Sequence, residues 1–185
     1  MSVNKLVILD RDGVINFDSD SYIKSPEEWI PIKSSLRAIA KLNQAGYKVA
    51  VATNQSGIGR GMFDHITLAM IHKKMEMELA KVGAHIDALE YCPDHPDSAG
   101  PDRKPNSGMV NRLLKQFGVN ASETWFVGDS ISDIDCARNS GCLPILVLTG
   151  KGKYTHSKIV KPNIPIFTDL SLAIDSLLNI DIHVT

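Results

Sequence analysis

"KLVILDRDGVIN", residues 5–16, runs from an apolar segment straight into two aspartates separated by one arginine. The first strand, Lys5–Asp10, is short, rich in β-branched residues and almost uniformly apolar, the pattern of a strand buried on both faces. Strands of that kind belong to parallel sheets covered by helices on each side. Asp10 and Asp12, leaving such a strand together, repel each other. A cation is expected between them.

The rest of the chain repeats the strand–helix unit. Ser34-Ser35 are placed as N-caps for a helix carrying Leu36, Ile39 and Ala40, and Gly46 is placed to end it. Lys48–Thr53 reads as the second strand. A glycine-rich loop, "NQSGIGRG", leads on to Asp64; within it "GIGRG", 57–61, lacks a full G-x-G-x-x-G context and no G-K-[ST] follows, so it is expected to be a flexible turn. Asp64 caps a helix with Leu68, Ile71, Met75 and Leu79 on one face. A weaker strand covers 88–92, a Pro/Asp loop covers 93–106, and Ser107 opens a helix that Gly118 ends. Residues 124–129 form a strand, 131–140 a helix closed by Gly141, and 144–149 a further strand. A final strand at 164–167 precedes a helix over 169–178. No repeat, low-complexity stretch or linker interrupts the pattern. One α/β domain over residues 1–185 is expected, a Rossmann-like three-layer sandwich with a mostly parallel sheet.

Bulk properties narrow the function classes. The chain has 185 residues, 43% hydrophobic and 22% charged, which suits a globular domain with a real core. Its net charge of −1, without a dense basic run, gives nucleic acid no electrostatic hold. The first apolar run stops at Asp10, too short for a signal peptide, and no stretch approaches the roughly 20 apolar residues of a membrane span. Cys92, Cys136 and Cys142 are odd in number and form no C-x-x-C pair. A reduced, cytoplasmic setting without a membrane or nucleic-acid partner follows, with a monomer or weak oligomer expected.

In open parallel sheets ligands bind beyond the carboxyl ends of the strands. The first strand exits into Asp10-Arg11-Asp12, the second into Thr53-Asn54, and the fourth into Gly128-Asp129-Ser130, while Arg103-Lys104-Pro105 precedes a helix. Brought to one edge, these give three carboxylates, a hydroxyl, a lysine and arginines. That set suits phosphoryl transfer with a hard cation. Mg²⁺ takes carboxylate and phosphate oxygens, and a phosphate dianion approaches a carboxylate only where positive charge offsets the repulsion. Taken singly, each aspartate is an ordinary turn former and Lys104 an ordinary surface charge. Their arrival at the same sheet edge is what favours a site.

"DRDGVIN", "TNQSG", "RKP" and "GDSISD" together resemble the four motifs of the haloacid dehalogenase (HAD) superfamily, in order, over residues 5 to about 150. The segments "ATNQSGIGRG" and "YCPDHP" ahead of "RKPNSGM" resemble the branch of sugar-phosphate phosphatases acting on D-glycero-D-manno-heptose 1,7-bisphosphate, whose near relatives are histidinol-phosphatases. The resemblance implies that Asp10 is the nucleophile and that Asp12 is the acid for the leaving alkoxide and then the base for water. It implies that Thr53 and Lys104 hold the phosphoryl group. Mg²⁺ would take Asp10, the Asp12 carbonyl and Asp129, supported by Asp133. Asp18 and Tyr22 on a flap, Asn54, Gln55, Ser56 and Arg103 would contact substrate. No large cap domain is inserted, so an open site is implied.

One departure concerns zinc. Related sequences carry a Cys and a His early in the 93–106 loop and a Cys-x-Cys before Arg-Lys-Pro, whereas here Gly100-Pro101-Asp102 stands at that place. Structural zinc takes four N/S ligands, and only Cys92 and His95 remain, so no zinc is expected. The leading expectation is a Mg²⁺-dependent phosphomonoesterase removing the 7-phosphate of the heptose bisphosphate in nucleotide-activated heptose (lipopolysaccharide core or S-layer) synthesis. Histidinol phosphate or another small phosphomonoester is the second. A phospho-accepting receiver domain is the third, disfavoured because Asp12 supplies a hydrolytic base.

Overall fold

Leu6 and Ile8 face one helical layer while Val7 and Leu9 face the other, so β1 (Leu6–Leu9) has no position that tolerates a polar side chain. This arrangement comes from a computed structural model, which describes residues 5–159 and 163–182. After β1 come α1 (Lys33–Gln44), β2 (Lys48–Asn54), α2 (Ser56–Gly59), α3 (His65–Ala80) and β3 (Ala88–Cys92). The second half holds α4 (Gly108–Phe117), β4 (Trp125–Gly128), α5 (Ile131–Ser140), β5 (Leu143–Val147), α6 (Gly152–Lys158), β6 (Ile166–Phe167) and α7 (Leu170–Ile182).

Among the described residues six strands form one sheet in the order β3-β2-β1-β4-β5-β6, and every pairing is parallel. The chain therefore builds outward from β1 in one direction, returns, and builds outward from β4 in the other. β1 and β4 lie side by side at this switch, where the helices diverge to opposite faces and leave a crevice. One face of the sheet packs on α1, α3 and α7 through Leu36, Ile39, Ile71, Met75, Ala173 and Ile174. The other packs on α4 and α5 through Val110, Leu113, Cys136 and Ala137. The expected three-layer α/β architecture is what forms, with a sheet that is parallel throughout.

Local differences from the sequence reading have physical causes. Helix α1 starts at Lys33 after Ile32, without a side-chain cap, rather than at Ser34-Ser35. The Ile32 N–H donates to the Ile15 carbonyl at 2.9 Å, so a tertiary bond fixes the helix entrance and Ser35 is buried. Segment 57–61 is not a flexible turn. Its first three residues belong to α2, and the N–H groups of Gln55 and Gly59 donate to the Cys92 and Pro93 carbonyls at 2.7 and 3.0 Å. Helix α6 was not foreseen, because its polar run carries no apolar stripe. No helix among the described residues is long and apolar enough to cross a membrane.

Cys92 is fully buried at the end of β3, and burial pushes its thiol up. His95 lies in the following loop, its Nδ1 accepting the Asp97 N–H at 3.2 Å.

Candidate active site

The register places Leu9 opposite Val51 of β2 and Val127 of β4, so the residues just past these strands share one edge. The Asp10 N–H extends the ladder by one bond, donating to the Val127 carbonyl at 2.9 Å. Asp10 Oδ1 accepts the Arg11 N–H at 2.7 Å and faces the Lys104 ammonium at 2.9 Å. Lys104, only 3% exposed, also pairs with Asp133 Oδ1 at 2.7 Å and donates to the Ala52 carbonyl at 2.8 Å. A buried lysine normally loses basicity, but Asp10 and Asp133 outweigh the desolvation and raise it.

Asp133 is committed on both oxygens. Oδ2 accepts from the N–H groups of Asp129 and Ser130 at 3.2 and 3.0 Å and from the Ser130 hydroxyl at 2.6 Å, closing a capping box at the start of α5. Asp129 Oδ2 accepts the Lys151 N–H at 2.7 Å. Gly13 and Gly150 flank that carboxylate at φ +80° and +53°, and a Cβ on either would run into it. Positive φ and close approach together explain glycine at both places.

The carboxylates of Asp10, Asp129 and Asp133 bring oxygens within 4.8 Å of one another. Burial first, then their mutual repulsion, raises the protonation equilibria of Asp10 and Asp129, with Lys104 opposing the effect at Asp10. An all-oxygen cluster with more negative charge than Lys104 can offset fits a small, hard divalent cation. The residues present therefore suit Mg²⁺.

Asp12 has different surroundings. Arg11, wholly buried, turns back on it with three N–H···O contacts of 2.9–3.1 Å. Asn16 Nδ2 and Gln55 Nε2 each donate to it at 2.8 Å. Burial works against the charged form, yet Arg11 and these amides prevail and hold Asp12 below the usual carboxylate range. The cation expected between the two aspartates is thus divided: Arg11 serves Asp12 and Lys104 serves Asp10.

Thr53 is buried at the end of β2, its hydroxyl accepting from Gln55 Nε2 at 3.0 Å. Gln55 therefore links Thr53 to Asp12. Asn54 lines the cleft but spends both ends of its amide on the Lys104 backbone, at 3.0 Å each. Ser56 begins α2, and Asp18, Tyr22 and Arg103 complete the rim. Tyr22 holds the left-handed conformation at φ 65°, and the Lys24 ammonium donates beneath it to the Ser21 carbonyl at 2.6 Å. The Arg103 guanidinium is steadied by the Asp94 carbonyl at 3.1 Å.

All the residues anticipated from sequence thus line or adjoin one cleft. Lys151 was missed. It follows β5 at the same sheet edge, and its ammonium lies 3.4 Å from Asp18. Its signal in the sequence is its place just past the fifth strand.

Comparison with known proteins agrees with this geometry. A HAD-hydrolase-like family model matches residues 102–173. The D-glycero-β-D-manno-heptose-1,7-bisphosphate 7-phosphatase of Pseudomonas aeruginosa is 50% identical over 173 residues, 94% of this chain and 97% of that protein. The enzyme of the same name from Neisseria meningitidis is 50% identical over 155 residues, 83% of this chain and 82% of that one. The crystal structure of D,D-heptose 1,7-bisphosphate phosphatase from B. bronchiseptica, complexed with magnesium and phosphate, superposes with a TM-score of 0.92 at 44% identity. It covers 95% of this chain and 98% of its own.

Proposed function

This chain belongs to the HAD-like hydrolases, in the family of the D-glycero-β-D-manno-heptose-1,7-bisphosphate 7-phosphatases, and on that premise we propose that it is a Mg²⁺-dependent phosphomonoesterase. Its substrate in this reading is D-glycero-D-manno-heptose 1,7-bisphosphate, which loses the 7-phosphate to water in the cytoplasm. The observation that carries the reading is the buried Lys104 ammonium, set between Asp10 and Asp133 at the sheet's carboxyl edge.

The Asp10 carboxylate attacks phosphorus, the ester C–O–P oxygen leaves with the bond's electron pair, and an aspartyl-phosphate remains. Asp12, held ionised at rest, takes up the proton that the monoester brings and passes it to that oxygen, then takes one from the water that attacks the aspartyl-phosphate and yields it to the departing phosphate, which returns Asp10. Lys104 and the Thr53 hydroxyl hold the phosphoryl oxygens. Asp10, Asp129 and the Asp12 carbonyl would hold Mg²⁺, with Asp133 bracing Asp129 and Lys104. Bound there, the ion offsets charge on the transferring phosphoryl group. The rim formed by Asp18, Tyr22, Gln55, Ser56 and Arg103 receives the sugar, and Asn54 fixes the Lys104 backbone. A single domain carries every group the reaction needs.

The test is phosphate release by purified protein from heptose 1,7-bisphosphate, with and without Mg²⁺, with the product's remaining phosphate located by NMR. Metal-dependent turnover leaving the 1-phosphate is the expected result. Stoichiometric phosphorylation without turnover, or loss of the 1-phosphate, overturns the reading.

A further inference from the structure

Neither Arg11 nor His72 lines the cleft, yet both are buried directly behind Asp12. His72 stands on α3 between Ile71 and Met75, whose side chains fix that helix against the sheet. Its Nε2 lies 3.2 Å from Arg11 Nη1. The opposite edge of the same guanidinium, Nε and Nη2, makes the contacts to Asp12. The Tyr91 ring meets the imidazole edge-on at 6.0 Å between centroids and limits its rotation.

Arginine has only donors, so Nε2 must present its lone pair and the His72 proton must sit on Nδ1. A neutral imidazole is required for this contact. Burial and the neighbouring guanidinium both push His72 down, to about 3, which keeps it neutral.

We propose that His72 is a positioning residue for phosphate-ester cleavage: by accepting from Arg11 Nη1 it fixes the guanidinium plane, and through that plane the carboxyl orientation of Asp12. Arg11 sits one peptide bond before Asp12 and cannot supply a fixed reference by itself. An anchor on α3, a separate packed element, converts the local pair into a rigid one. Asn16 and Gln55 hold the same carboxylate from other directions. The inference rests on the reading of Asp12 as proton donor.

The experiment compares kcat/KM of the full-length protein on two monoesters: p-nitrophenyl phosphate, whose leaving group needs little protonation, and heptose 1,7-bisphosphate, whose alkoxide needs a proton. Since kcat/KM extends only to formation of the aspartyl-phosphate, it isolates the acid step. His72→Leu should lose about tenfold or more on the sugar ester and less than about threefold on the aryl ester, a fraction of what a general acid contributes. His72→Gln places an amide oxygen where Nε2 stands and should return both values to within about threefold of wild type. Equal losses on both esters, or a Gln variant no better than Leu, overturn the proposal. If His72→Leu does not fold, His72→Asn, whose amide ends an atom short of Nε2, must show the same split. An unsplit Asn variant is equally fatal. A split in Asp12→Asn without one in the His72 variants removes the inference and leaves the function standing. Wild-type protein inert toward both esters removes the two together.

Discussion

The Lys104 ammonium lies 2.9 Å from the Asp10 carboxylate, with both groups buried at the exit of β1. The pair is tied to a third charge, since the same nitrogen stands 2.7 Å from Asp133. Lys104 thereby stabilises the charged state of the site before any substrate arrives. Lys104→Met should destabilise the fold by about 3–5 kcal/mol, the cost of leaving buried carboxylates uncompensated, and should abolish turnover. Urea unfolding in metal-free buffer measures it. A loss below about 1 kcal/mol would show that water already compensates these charges.

Asp10→Asn removes the nucleophile while keeping its shape. Turnover should fall to a trace, because an amide cannot form the acyl phosphate. Stability should change much less than in Lys104→Met, since one of three mutually repelling carboxylates is gone while Lys104 keeps Asp133. The check is single-turnover kinetics with intact-mass spectrometry to exclude deamidation. Retained turnover in protein that is still the amide would sink the nucleophile assignment.

His72 gives a pH prediction with a definite sign. Its folded-state protonation lies near 3 against 6.5 for a free imidazole, because of burial and then Arg11. Above about pH 6.5 both folded and unfolded forms are neutral and the residue contributes no pH dependence. Below that value the unfolded chain binds a proton that the folded one refuses, so stability falls as pH falls, by up to about 1.4 kcal/mol per unit. His72→Gln removes this slope. Subtracting the variant's unfolding free energy from that of wild type between pH 7 and 5 should give a difference that moves against wild type as acid is added. A flat difference would mean that His72 protonates freely in the fold and does not depend on Arg11 for its neutral state.

The elements that sequence made legible are those whose signal is local. β1 and β4 are apolar because both faces are covered, α3 carries its cap at Asp64, and α5 closes at Gly141. The division of cations was not legible, since it depends on Arg11 folding back on its neighbour and on Lys104 arriving from a loop 50 residues after the end of β2. The start of α1 was misread for the same reason: a bond from Ile32 to Ile15 decides it, and no residue within the helix announces that bond. His72 is silent in sequence, and Gln55 is expected there only as a substrate contact, not as a support for Asp12. One is an amphipathic helix position and the other a loop amide, and only the folded edge gives them Asp12 and Arg11 as neighbours.

The last prediction concerns substrate choice. The rim facing the cleft has two guanidinium groups, Arg103 and Arg60, on separate loops, and Arg103 is joined by a peptide bond to Lys104. A substrate whose cleaved phosphate meets Lys104 therefore has its distal end within reach of Arg103. Arg103 already spends one N–H on the Asp94 carbonyl, which orients its plane and leaves the remaining donors free to form a fork around an anion. Heptose 1,7-bisphosphate offers a second phosphate to that fork, whereas histidinol phosphate offers a cationic amine, which Arg103 repels. Wild-type kcat/KM should favour the bisphosphate, and Arg103→Ala should erode the preference by about 1.5–3 kcal/mol, the range for hydrogen bonds to charged groups. Paired determinations on both substrates for wild type and variant measure it. Should Arg103→Ala lower both activities equally, Arg103 merely steadies Lys104, and selection passes to Arg60 or to the Lys151–Asp18 pair across the cleft. Because Arg60 is exposed and lies on the α2 side, the double variant Arg60→Ala/Arg103→Ala separates these cases. A preference that survives both substitutions would assign the choice to the Lys151 side of the rim.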